Sequence, residues 1–171
     1  MAKTKDQFAN FAALLVTETA ANTYTATKFA FPFSIMDKMG LLIHRIEYDW
    51  YAIRAALGAA NDRLVAAIVA AASVTDIEDV TDPLIIDSMR VSRYDLGAAA
   101  TGFYFRQPYV KDFSNLPGGG ILVAPNPLYL AVEGQGAAAA SACQVRLYYT
   151  YMELATDEYW QLVESRRVIS S

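Results

Sequence analysis

Apolar and polar residues alternate with period two along several short stretches of this chain, the spacing of half-buried β-strands. Residues 23–31 alternate and are rich in β-branched and aromatic side chains, and Pro32 then ends the strand or marks a sheet edge. Residues 41–51 follow Gly40; there Glu47 and Asp49 alternate with Tyr48 and Trp50, which predicts one polar and one apolar face. A long strand is predicted over 142–154, where Val145, Leu147, Tyr149 and Tyr151 share a face. Shorter strands are predicted over 89–94, 102–109, 121–123 and 128–132. Turn signals lie between them at 115–120, where Pro117 precedes three glycines, and at 134–137. About eight short strands with turns between them argue for a sandwich or a barrel.

Three stretches break this pattern. Residues 52–73 are rich in alanine, which suits a helix, yet 63–72 form an almost unbroken apolar run that periodicity cannot assign. The neighbouring strands favour a strand there. Residues 1–11 read as an arm or a short helix. Residues 156–167 predict a C-terminal helix: Thr156 can cap it, Asp157 and Glu158 suit its positive end, and Tyr159, Leu162 and Val163 form a stripe. Arg166 and Arg167 fall near the negative end. A length of 171 residues fits one domain, 1–171, and no internal repeat is present.

Charged residues make up 19%, below the usual quarter or so. Either an alanine-rich core or apolar surface buried against other subunits would explain this, since large obligate interfaces resemble cores. The net charge is −4 and no basic run occurs, so direct nucleic-acid binding through a basic arm is not expected. No stretch reads as a signal peptide, and the apolar run at 64–72 is too short to span a bilayer.

Catalytic chemistry has little to build on. The single histidine, His44, sits inside a predicted strand, and no serine lies in a nucleophile elbow. The single cysteine, Cys143, reads as a buried thiol. The weak metal candidates are Asp76, Glu78, Asp79 and Asp82, whose oxygens could meet a hard cation, but their spacing departs from the known calcium loop and a solvated turn explains them. Glu47 and Asp49 project from one face and are the obvious carboxylate pair for glycoside chemistry, although charges on a solvent face explain them equally. No catalytic residue and no cofactor is assigned.

Two stretches carry a family resemblance. Gly120-Ile121-Leu122-Val123-Ala124-Pro125 leads to Leu128-Tyr129-Leu130-Ala131-Val132, then to Gln144-Val145-Arg146-Leu147-Tyr148-Tyr149-Thr150, and the chain closes with Thr156-Asp157-Glu158-Tyr159-Trp160. Leu41-Leu42-Ile43-His44-Arg45-Ile46-Glu47 resembles an early barrel strand. Together they resemble the single jelly-roll major capsid proteins of small icosahedral tailless viruses of bacteria or archaea, over about a third of the chain. The resemblance implies an all-β single jelly roll, an eight-stranded β-sandwich or barrel with a short C-terminal helix. It implies a virion protein assembled in the host cytoplasm, whose partner is itself, with a second capsid protein or an internal membrane beneath the shell as further components. The arm and the C-terminal helix would link neighbours. The sequence departs from RNA-virus shell proteins that bind their genome through an arginine-rich arm. A carbohydrate- or receptor-binding or decoration module is the alternative reading, and an enzyme is not expected.

Overall fold

The computed structural model describes residues 3–4, 10–32, 38–51, 61–74, 76–79, 81–94, 108–124 and 127–167. Within them the strands are β1 (Lys3–Thr4), β2 (Asn10–Thr17), β3 (Thr25–Lys28), β4 (Met39–Tyr51), β5 (Asn61–Val69) and β6 (Ile85–Tyr94). They continue with β7 (Tyr109–Asp112), β8 (Ile121–Val123), β9 (Tyr129–Gln135) and β10 (Ala142–Glu153), and the helix α1 (Thr156–Arg167) follows. The chain is an all-β sandwich of two antiparallel sheets.

In the first sheet β10 is flanked by β4 on one edge and by β1 and β2 on the other. β1 and β2 occupy successive stretches of the same edge, so they form one interrupted line. β7 and β8 do the same against β4, at Arg45 to Tyr48 and at Leu41 to Ile43. The second sheet has the order β3-β9-β5-β6. Counted as lines, each sheet holds four.

The interruption in the β7–β8 line has a local cause. In the β4–β10 register Tyr148 faces Arg45 and Tyr149 faces Ile43, so His44 is an extra residue, a β-bulge. The bulge shifts the phase of β4: Leu41 and Ile43 point inward before it, and Ile46, Tyr48 and Trp50 after it. The adjacent doublet His44-Arg45 is its trace in the sequence. On the other edge of β4 the chain leaves the sheet at this point. The N–H of Phe113 donates to the His44 carbonyl at 2.7 Å, and residues 113–120 turn outward before β8 resumes. Gly118 and Gly119 adopt positive φ in this turn. At Gly120 a Cβ would lie 2.5 Å from the Ile43 carbonyl oxygen, so only glycine lets the chain return to the sheet there.

The main core lies between the sheets, with Ile46, Tyr48, Val145 and Leu147 from one and Leu64, Ile68, Leu130 and Val132 from the other. A second apolar cluster, Val65, Ala67, Val69, Val74, Ile77 and Ala131, lies on the opposite face of the second sheet. The segment after β5 supplies Val74 and Ile77, so it covers that face. This settles the unbroken apolar run at 63–72: it is a strand ending at Val69, buried on both faces, and so it never alternates.

Other expectations are corrected at their edges. The strand expected over 23–31 is limited to Thr25–Lys28, and the one at 89–94 begins at Ile85. Residues 10–17, with no predicted strand, form β2; an arm or helix reaching Phe11 is therefore replaced by strand at Asn10 and Phe11. Of the strand expected over 102–109, residues 102–107 lie outside the described residues. The helix at 156–167 and the strand at 121–123 have the expected bounds.

Ile77 is fully buried and anchors the covering segment. Replacing it with alanine leaves a cavity, so Ile77→Ala should lower stability by about 2–5 kcal/mol in urea unfolding. It should also speed proteolysis between residues 70 and 84. An unchanged midpoint would mean that this segment does not act as a lid on the sheet.

Candidate functional site

His44 bridges two elements. Its Nδ1 lies 2.7 Å from the Gly119 carbonyl oxygen, which can only accept, so Nδ1 carries the proton. Its Nε2 lies 3.0 Å from the Thr150 hydroxyl on β10. Both ring nitrogens are therefore committed to holding the 113–120 turn against the sheet.

The four acidic-loop candidates are not brought together. Asp76 Oδ1 accepts from the Glu78 N–H at 3.0 Å, Asp79 Oδ1 from the N–H and hydroxyl of Thr81, and Asp82 Oδ1 from the Leu84 N–H at 2.8 Å. These side-chain-to-backbone turns are what aspartates do in loops. Donation by Thr81 holds the Asp79 carboxyl below its ordinary range. Glu78 instead pairs with Arg63 at 3.0 Å and Arg90 at 3.5 Å. Among the described residues no group of three or more His, Cys, Asp or Glu side chains is placed to hold a metal ion.

Glu47 and Asp49 share the outer face of the first sheet. Glu47 pairs with Arg45 at 2.6 Å and Arg146 at 3.8 Å, and the Tyr148 hydroxyl donates to it at 3.2 Å. That carboxylate is embedded in a cross-strand charge network. Cys143 is buried, and its surroundings, with the Asp49 charge, push its thiol far above the ordinary range, so the reactive thiolate is suppressed.

Two polar groupings escaped the sequence reading. Glu18 is 3% exposed, and its carboxylate accepts from the N–H groups of Thr23, Gly134 and Ser141 and from the Ser141 hydroxyl, at 2.6–3.1 Å. It ties the turn after β2 to the segment between β9 and β10. Asn22 reinforces the same corner by a reciprocal pair of hydrogen bonds with Ala137. The second grouping links the sheets: the Tyr48 hydroxyl donates to Asp87 at 2.7 Å, and Lys111 donates to Asp87 and to the Ser88 carbonyl, both at 2.6 Å. Burial, and then the Asp87 charge, raise the Tyr48 phenol well above its usual value, so it stays a donor. In the sequence Glu18, Asp87 and Lys111 look like any surface charge; their partners are distant along the chain.

The largest exposed apolar side chains among the described residues are Phe11, Leu15, Tyr109, Val110, Leu116 and Trp160. Phe11 and Leu15 project from the outer side of β2, at 65% and 52% exposure. Trp160 lies on α1 next to Tyr159, which is buried. Of the N-terminal segment, Lys3–Thr4 and the residues from Asn10 pair with β10 of the same chain. The helix is fastened at its start, where the Lys38 ammonium donates to the Thr156 hydroxyl at 2.8 Å.

No protein-family model matches this chain, and no curated protein matches it.

Glu133 on β9 offers a pH test. Burial, and then the charges of Asp76, Glu18 and Glu78, raise its carboxyl above the ordinary value. A raised folded value favours the protonated form. The stability it contributes is full below pH about 4.3 and is lost as pH rises through the folded value. Glu133→Gln should therefore melt at a higher temperature than the wild type at pH 7, with the difference closing toward pH 4. A variant that melts lower at pH 7 would show that the ionised carboxylate is favoured in the fold.

Proposed function

We propose that this chain is a virion shell protein: a single jelly roll that assembles with copies of itself into a closed icosahedral shell. The observation that carries the reading is the pairing of strand lines. With β1–β2 and β7–β8 each taken as one line, the first line pairs with the eighth, the second with the seventh, the third with the sixth and the fourth with the fifth. The eighth also pairs with the third and the seventh with the fourth. A long antiparallel hairpin rolled into a barrel produces this order, and the jelly roll of viral shells, lectins and cupins has it.

Fold analogy alone does not choose among those functions. A cupin metal site needs several imidazoles, and this chain has one histidine, committed to a turn. The shell reading gains support from surface composition. Low charge and exposed Phe11, Leu15 and Trp160 suit a subunit that buries apolar side chains against its neighbours. With a net charge of −4 and no basic run, such a shell would leave charge neutralisation of the genome to another component, a second protein or an underlying membrane.

Sedimentation velocity and light scattering over a range of salt, each with calcium and with a chelator, test the reading. Discrete large particles of narrow size distribution are expected. Because the loop aspartates serve their own turns, particles should form with chelator present. A stable monomer under every condition would contradict self-assembly and favour a binding or decoration module.

A further inference from the structure

Among the described edge strands of four residues or more, β2 alone carries no charge; β8 also lacks charge but is only three residues long, and shortness itself guards an edge. An edge strand presents unpaired backbone groups, and proteins that stay monomeric guard such edges with charge, proline or a bulge. Among the described edge strands, β3 carries Lys28, β6 carries Asp87 and Arg90, and β7 carries Lys111 and Asp112. β2 reads Asn10-Phe11-Ala12-Ala13-Leu14-Leu15-Val16-Thr17, with no charge, no proline and no glycine. Its register with β10 runs unbroken over all eight residues, and β10 is its only strand partner among the described residues.

We infer that β2 is a subunit seam, pairing antiparallel with β2 of a second copy of this chain about a two-fold axis at Ala13. This deepens the assembly reading above and rests on it for its biological role. The sequence of β2 is self-complementary in this register. On the outer face Phe11 meets Leu15 of the second copy, Ala13 meets Ala13, and no charges meet. On the inner face the larger Leu14 falls opposite the smaller Ala12. A symmetric contact requires one patch to match itself, which a second copy supplies. The charges nearest the seam are already balanced within each copy, where Arg146 lies over the Phe11 ring and also pairs with Glu47. One strand pair covers less than the roughly 1,200 Å² that a stable isolated dimer needs. The seam therefore suits a lattice, where each subunit makes several weak contacts at once.

Oxidative cross-linking of the full chain tests the seam. Ala13→Cys places two thiols across the axis, where Cα atoms in an antiparallel pair lie about 4.5–5.5 Å apart, within disulfide reach. Thr17→Cys is the control, because its mates would be roughly 27 Å apart. Cys143 is buried and gives little background. Ala13→Cys should yield a covalent dimer while Thr17→Cys stays monomeric. Leu15→Lys, at an exposed position, should keep the wild-type melting profile and lose self-association. If particles form while Leu15→Lys assembles normally, or while the two cysteine variants cross-link alike, the seam is wrong and the shell reading stands. If no particles form but Ala13→Cys alone dimerises, the seam stands and the shell reading fails.

Discussion

Strand β10 is paired along both edges, in register with β4 over all twelve of its residues and with β2 over eight. It comes last among the strands in sequence yet sits inside the first sheet. That sheet cannot close until the chain has returned from Ala142 to lie between β2 and β4, whose partners Thr17 and Tyr51 come far earlier in the sequence. Such non-local pairing makes folding slow compared with local topologies. It also fixes much of the rest: the bulge at His44 is measured against β10, the His44 ring reaches Thr150 on it, and only Leu154 and Ala155 separate its end from α1.

Closing a sandwich this way leaves corners where backbone groups would be stranded, and the chain answers with single side chains. Glu18 satisfies three N–H groups and one hydroxyl at a corner shared by β2, β9 and β10. Each buried donor left without a partner would cost about 1–3 kcal/mol. His44 and Gly120 do similar work where the β7–β8 line leaves the sheet and returns to it. At the other side of the sandwich Asp87 accepts from both Tyr48 and Lys111, joining the sheets by polar contacts. The titratable groups that looked most promising for chemistry are thus largely occupied in holding corners, turns and edges.

The all-β class, β10 and the C-terminal helix were legible because each obeys one period: Val145, Leu147 and Tyr149 face the core in alternation, and 156–167 carries its cap and charges in order. β5 was ambiguous because Leu64 and Ile68 face one core while Val65 and Val69 face another, which removes alternation. β2 was missed for a related reason. Leu14 and Val16 point inward while Phe11 and Leu15 point out, so apolar residues lie on both sides and no period survives. Glu18 was illegible as a buried group because its donors at Gly134 and Ser141 lie far along the chain. In the acidic loop Asp76, Asp79 and Asp82 each accept from a backbone N–H two residues on, a local turn chemistry that spacing alone does not separate from ligand spacing.

In the proposed assembly, the absence of polar alternation in β2 has a use. A monomer gains nothing from exposing Phe11 and Leu15, whereas a subunit in a shell does. A regular particle is the direct consequence of the proposed assembly. Electron cryomicroscopy of the assembled protein, at a resolution that traces strands, tests it most directly. A closed icosahedral lattice whose repeating density accepts this two-sheet subunit is the expected result. Particles built from a subunit of different strand order, or a protein that forms no regular particle, would contradict it.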